Sequence, residues 1–350
     1  MIILPLPGTP MAIRLAVVCA LLAALIDSAA TAADRTNTVA EPQPSTAPTW
    51  ALKYRFKKGD VFHFHAKSNS RMKVTAGQVA QVLYETRESF KHYRVVEVKE
   101  DGSSILQPMI DRAIMKARPD DKPWIIWDSR SSRQVPRRFQ NVAKGIGTPT
   151  VQVHYSPTGR ILDVKAIQDK AANGTTKPTR PVSGEKEVEP NDDKSSYTFL
   201  VKLPDEPVAV GQSWDDDFVV EVSPDPDLSR KLRKNIDIRR TYTLDKIERG
   251  IAEISFKTFV KKRINDPIIQ VQLISRSLTG KVRFDMERGL ILDWSSAGSG
   301  EVFNPYGNSS HVESALQSRE VYSSRSLSSL KPVIASGPPG AAGPPRRPKF

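Results

Sequence analysis

Ile236-Asp237-Ile238-Arg239-Arg240-Thr241-Tyr242-Thr243-Leu244-Asp245-Lys246-Ile247-Glu248-Arg249-Gly250-Ile251-Ala252-Glu253-Ile254-Ser255-Phe256-Lys257-Thr258-Phe259-Val260 is the stretch that decides the fold. Ile236, Ile238, Tyr242 and Leu244 alternate with Asp237, Arg239, Thr241, Thr243 and Asp245. After Arg249-Gly250 the same beat resumes in Ala252, Ile254, Phe256, Thr258 and Val260. A period of two sends apolar side chains to one face of a strand and polar ones to the other, the pattern of an antiparallel sheet with one wet face. Trp50, Leu52, Tyr54 and Phe56 keep this pattern against Lys53, Arg55 and Lys57, and Val282, Phe284 and Met286 keep it later. Helical spacing occurs at Pro136, Phe139, Val142, Ala143 and Ile146, which with Gly145 and Gly147 describe one amphipathic helix of about three turns laid on the sheet.

The chain also repeats itself. Lys58-Gly59-Asp60-Val61-Phe62 matches Val210-Gly211-Gln212-Ser213-Trp214, each opening a strand after a turn. Asp101-Gly102 and Arg249-Gly250 occupy equivalent hairpins, as do Thr158-Gly159 and Arg288-Gly289. The spacing implies about 20 extra residues in the first copy before its last hairpin, where the helix falls. The expected fold is mainly β: two duplicated antiparallel β modules, half-barrels or curved sheets, with one or two short helices.

Outside the modules the composition changes. Arg14, the twelve apolar residues Leu15 to Ile26 and the small residues Ala29 to Ala33 read as an export signal over 1–33, cut near Ala32 or Ala33. The run is too short to span a bilayer, which takes about 20 apolar residues, so no transmembrane segment is expected in the mature chain. Residues 34–49 read as a disordered spacer, 50–167 as the first module and 168–196 as a flexible linker or long loop. Residues 197–331 read as the second module, and 332–350 as a disordered tail rich in Pro and Gly with a basic tip. The expected location is periplasmic or extracellular. The one cysteine, Cys19, falls inside the signal, which leaves no disulfide, thiol nucleophile or thiolate metal site.

The 350 residues carry a net charge of +13. The excess belongs to the first module, where Trp50 to Lys165 holds 22 basic and 11 acidic residues, while the second module is nearly balanced. Arg130, Arg133, Arg137, Arg138 and Lys144 cluster around the helical insertion as candidate contacts for an anionic ligand. Anionic lipid, lipoprotein or an envelope polymer are the partners this charge suits. Nucleic acid is not expected, because no recognition helix or RNA-type aromatic strand motif is present.

Chemical motifs are sparse. His63 and His65 project from one face of a strand whose other face carries Phe62 and Phe64, a candidate metal pair that would need a third ligand such as His92 or His154. The competing reading is a pair of polar positions on a wet face. Asp215 to Asp217, with Asp225 and Asp227, lack the order of a calcium loop and read as a solvated turn and a cap for Leu228 to Leu232. Ser299, between two glycines, reads as a hairpin or strand end. There is no Gly-x-Ser-x-Gly elbow, His-Glu-x-x-His, phosphate loop or dinucleotide fingerprint, so no catalytic residue and no cofactor is assigned. Trp124, Trp127 and Trp294 are either core or the lining of a ligand hollow.

The run Leu203-Pro204-Asp205-Glu206-Pro207-Val208-Ala209-Val210-Gly211-Gln212-Ser213-Trp214, the opening Tyr54-Arg55-Phe56-Lys57-Lys58-Gly59-Asp60 and the paired glycine hairpins resemble an uncharacterised family of exported bacterial β-rich proteins, a domain of unknown function. The resemblance covers most of 50–330 and implies no activity or catalytic residue. The layout is also similar to the half-barrels of periplasmic lipoprotein carriers. Such proteins are often lipid-anchored, and here Val18 before Cys19 departs from that pattern. The expected function is an exported, non-enzymatic binding or envelope-maintenance protein for an amphipathic anionic ligand. The alternatives are a structural or surface-interaction module without a cavity and an unrecognised hydrolase.

Overall fold

The computed structural model describes residues 47–167, 199–222 and 234–326. The export signal with Cys19, most of the spacer, the linker, Asp225, Asp227, Leu228 to Leu232 and the tail lie outside the described residues.

Alternation produces strands as expected. The first half contributes β1 (Thr49–Trp50), β2 (Val61–Ala76), β3 (Val79–Val98), β4 (Ser104–Pro119), β5 (Ile125–Asp128), β6 (Val151–Tyr155) and β7 (Ile161–Ala166). The second contributes β8 (Val208–Ala209), β9 (Ser213–Val222), β10 (Lys234–Glu248), β11 (Ile251–Val260), β12 (Thr279–Asp285), β13 (Leu290–Phe303) and β14 (Ser310–Ser323). β1 and β8 pair with each other. The rest form one 12-stranded antiparallel sheet in the order β7-β6-β4-β3-β2-β14-β13-β12-β11-β10-β9, with β5 beside β4, and it does not close into a barrel.

Each half crosses the sheet in the same direction, so β2, β3, β4, β6 and β7 correspond to β9, β10, β11, β12 and β13. The correspondence reaches individual hydrogen bonds. Gly59 N–H donates to the Val95 carbonyl at 2.9 Å, and Gly211 N–H to that of Leu244 at 2.7 Å. The Asp60 carboxylate accepts from Lys57 N–H at 3.0 Å where the Gln212 side chain accepts from Ala209 N–H at 2.8 Å. Both halves also insert a helix at the same connection, α1 (Gln140–Lys144) between β4 and β6 and α2 (Pro267–Ile274) between β11 and β12.

Four local expectations are corrected. The three-turn helix is a 3-10 turn over Arg137–Phe139 running into the five residues of α1, with no side-chain cap at its start. Beyond β1, which pairs with β8 outside the main sheet, Trp50 to Phe56 is not a strand. It is a strap whose Tyr54 and Arg55 N–H groups donate to the Pro157 and Gly289 carbonyls of two hairpins, at 2.9 and 3.3 Å. Ser299 lies in mid-strand within β13, where Gly298 and Gly300 let Leu278 and Ile274 approach. Asp215 to Asp217 lie within β9, not in a turn.

The main core draws on both halves, with Tyr54, Phe64, Tyr155, Leu203, Tyr242, Ile254 and Phe284 buried together. Two smaller cores sit under the insertions. Phe139 packs on Ala113, Met115, Ala117 and Trp127, with Val142, Ala143 and Ile146 beside it. Ile269 and Leu273 of α2 pack on Val220, Val222, Ile236 and Ile238. The sheet thus curls around its apolar face, and a second strap, 199–203, lies between edge strands β7 and β9. Leu203 N–H donates to the Thr158 carbonyl at 2.8 Å, and Lys202 Nζ to that of Asp215 at 2.9 Å. Trp214 Nε1 donates back to the Lys202 carbonyl at 2.9 Å.

Candidate functional site

The second strap does not fill the space it spans. Between it, the inner face of the sheet and the residues just after α2 lies a cavity of about 380 Å³. Trp294, Ser296 and Ser318 of the paired strands β13 and β14 form its floor, and Phe218 and Arg240 of β9 and β10 form one wall. Ile161 and Leu200 add apolar surface opposite, and Leu278 adds it beside the helix. A second hollow of about 360 Å³, lined by Ala66, Ser68, Ser89 and Glu320, shares Trp294 and Ser318 with the first. The Trp294 indole N–H, common to both, is buried without a hydrogen-bond partner.

The charge in the cavity is lopsided. Arg160, Lys202, Arg240 and Arg276 line it, and the acids are Asp216 and Asp217. Asp217 faces away onto Arg239 and Lys261, whose nitrogens lie 2.7 and 3.1 Å from its carboxylate. The hydrogen-bonded Arg239 guanidinium holds this carboxyl well below the usual range. Asp216 is the inward carboxylate, directly opposite Arg240 in the strand register. Burial pushes its pKa up, against the pull of Lys202 and Arg240. Arg240 is fixed by its Nε bond to Thr258 Oγ1 at 2.9 Å and by the rings of Phe218 and Phe256, 5.5 and 5.1 Å from its guanidinium carbon. A cation held over aromatic rings is already oriented before an anion arrives.

The basic residues singled out from the sequence lie elsewhere. Arg130, Arg133, Arg137, Arg138 and Lys144 are all exposed around the insertion, and none lines the cavity. Arg138 is engaged by Glu85 at 3.1 Å. Beside them Trp124, Ile125 and Ile126 are exposed, whereas Trp127 is buried. The cavity cations were missed because they come from a hairpin, a strap, a strand and the end of a helix, far apart in the chain. Only Trp294 carried a sequence hint.

The histidines separate. His65 turns to Glu88 at 2.8 Å and stacks on Phe90. His154 bonds Ser103 at 2.8 Å. His63 instead meets His92, directly opposite it on β3, and Asp111 of β4.

No family model matches the chain, and no curated protein matches it by sequence. Among solved structures it is similar to lipovitellin, in a structure described as lipid-protein interactions in lipovitellin, at 11% identity and a TM-score of 0.41. That match covers 77% of this chain and 25% of the other, so the chain spans about a quarter of lipovitellin. DynF of the dynemicin biosynthesis pathway of Micromonospora chersina follows at 5% identity and a TM-score of 0.19, covering 79% and 86% of the two chains. A DUF1329 family protein from Desulfovibrio piger matches at 12% identity and a TM-score of 0.15, covering 76% and 87%. These scores fall below a shared fold, and they assign the chain to no family.

Proposed function

We propose that the protein is an exported, non-enzymatic binding protein that takes an amphipathic anion, such as a lipid or the acyl part of a lipoprotein, into the cavity beneath the second strap. One observation carries this reading: a cavity floored by Trp294 whose lining holds four cations, of which Arg160 is paired with Asp205 at 2.8 Å, to one inward carboxylate. Its volume falls within the roughly 300–1,000 Å³ of small-molecule sites. An apolar body with a few fixed polar groups gives such a site its affinity, and the cations select the sign of the headgroup.

The test is binding of a fluorescent long-chain fatty acid to delipidated protein, read by energy transfer from tryptophan, against the matching neutral alcohol. The acid is expected to bind about tenfold more tightly than the alcohol, which corresponds to about 1.4 kcal/mol. Neutralising Lys202 and Arg276 to Gln should reduce that preference, with Arg240 still in place. Equal binding of both probes, or binding of neither, would leave the structural module without a ligand as the better reading.

Asp216 adds a pH dependence with a definite sign. Burial raises the pKa of its carboxyl, so as pH falls through that pKa the inward negative charge disappears, and a probe that keeps its own charge there, a long-chain alkyl sulfate, binds more tightly. Asp216→Asn is expected to tighten binding at pH 7 about tenfold, or about 1.4 kcal/mol, and to flatten the profile.

The exposed cations of the insertion suit the approach to an anionic membrane face, with Trp124 and Ile126 beside them. Replacing Arg137, Arg138 and Lys144 by Gln is expected to weaken co-sedimentation with anionic vesicles and to lower its salt dependence. Arg138, already paired with Glu85, should contribute least.

A further inference from the structure

We propose that His63, His92 and Asp111, on the outer face of the sheet, hold one divalent metal ion of the zinc class with water in the remaining position. The three residues stand on three adjacent strands, β2, β3 and β4, and one ligand atom from each lies within 4.8 Å of the others. The site is remote in chemistry from the cavity and does not rest on the ligand reading.

The strand register shows how the backbone builds it. His63 sits directly opposite His92, so their side chains emerge on one face as cross-strand neighbours, with ring centroids 5.7 Å apart. On β4, Ile110 pairs with Lys91 and Arg112 with Phe90, which leaves Asp111 as the extra residue of a bulge. Regular alternation would send Asp111 and Arg112 to opposite faces. The bulge lets Asp111 reach His92 while Arg112 still lies over the Phe90 ring, and re-aiming a side chain in this way is what bulges do beside functional sites.

The spacing of the three ligand atoms and an unpartnered ring nitrogen suit a metal. The Asp111 carboxylate oxygens are 2.9 and 3.0 Å from His92 Nδ1. Two ligands held at about 2.0–2.2 Å around one ion at the tetrahedral angle stand about 3.3–3.6 Å apart, so this hydrogen bond opens by a few tenths of an ångström as the ion takes the place of its proton. His63 Nδ1 is buried with no hydrogen-bond partner, an unused lone pair or N–H beside the other two groups. Burial and the neighbouring His92 hold the His63 ring below the usual histidine range, against the pull of Asp111, and the neutral ring is the form that ligates. Two imidazoles and one carboxylate with an open position form a donor set suited to zinc-class ions.

The experiment titrates chelator-treated protein with Co²⁺, read by visible absorption, and then displaces it with Zn²⁺. One equivalent is expected to bind. His63→Ala and Asp111→Asn should each weaken binding more than about 100-fold, beyond what loss of an outer hydrogen-bond partner costs. His65→Ala, two residues along on the same face, should leave it unchanged. The Tm should rise with Zn²⁺ in the parent and in His65→Ala only, and a cooperative metal-free melt of every variant shows that each is folded. No binding by the parent, binding that survives Asp111→Asn, or equal loss in His65→Ala would overturn the proposal.

Discussion

Gly159→Ala is expected to cost about 2–5 kcal/mol of stability, from a backbone strain of about 1–2 kcal/mol and an overpacking penalty of about 1–3 kcal/mol. Gly159 has φ +82°, in the left-handed region that L side chains rarely adopt. A Cβ there would stand 2.6 Å from the Val201 carbonyl oxygen and 2.7 Å from the Tyr54 ring. Neither neighbour can retreat. The Tyr54 hydroxyl donates to the Val201 carbonyl at 2.9 Å and accepts from its N–H at 3.0 Å, which ties the two straps to each other. The measurement is the urea midpoint at unchanged slope. Gly59→Ala is the control, because Gly59 has φ +91° and open space around the missing Cβ. It should show the strain of about 1–2 kcal/mol alone. Equal losses in both variants would mean that the straps are not packed against the hairpin.

Asp128→Ala is expected to cost about 3–5 kcal/mol, the loss typical when one member of a buried ion pair is removed. Arg112 and Asp128 are 2% and 7% exposed, so neither charge has water to replace its partner. The pair is two-pronged, Nε to Oδ1 at 3.0 Å and Nη2 to Oδ2 at 2.5 Å, and Oδ1 also accepts the Arg130 N–H at 3.0 Å. It holds the edge strand β5 against β4. Replacing both residues, Arg112→Met with Asp128→Leu, should recover much of the loss, because no lone charge is then left buried. The hydrogen-bonded guanidinium holds the Asp128 carboxyl below the usual carboxylate range. Its contribution is therefore complete above about pH 4, the unfolded value, and is lost as pH falls through the lower folded value. Acid unfolding of Asp128→Asn should lack that component.

The strands were legible because each buries one face, and a half-buried strand prints its geometry into alternate residues. The duplication was legible through turn glycines, since the same left-handed turn recurs at Gly59 and Gly211. Helix α2 was not. Pro267-Ile268-Ile269-Gln270-Val271-Gln272-Leu273-Ile274 is rich in β-branched residues and lacks a polar stripe, so its pattern does not favour a helix. Its start was nonetheless readable, because Asp266 accepts the Ile268 and Ile269 N–H groups and Pro267 occupies the first turn. Of the sites, the His63 and His92 pairing was partly visible in the sequence. Asp111 was hidden, because a bulge leaves no mark on composition, and the cavity cations were hidden by their scatter along the chain.

The union of β2 with β14 sets the order in which the molecule can assemble. Val61–Ala76 comes early in the polypeptide and Ser310–Ser323 late, yet they lie side by side. A chain emerging from its N-terminal end can fold the β2-β3-β4 hairpins at once, but one border of β2 then waits for nearly all the remaining synthesis. Contacts this distant in sequence form slowly, and an open border is a place where other chains can add. The nascent protein therefore has most need of a chaperone along β2, in the interval before its last strand arrives.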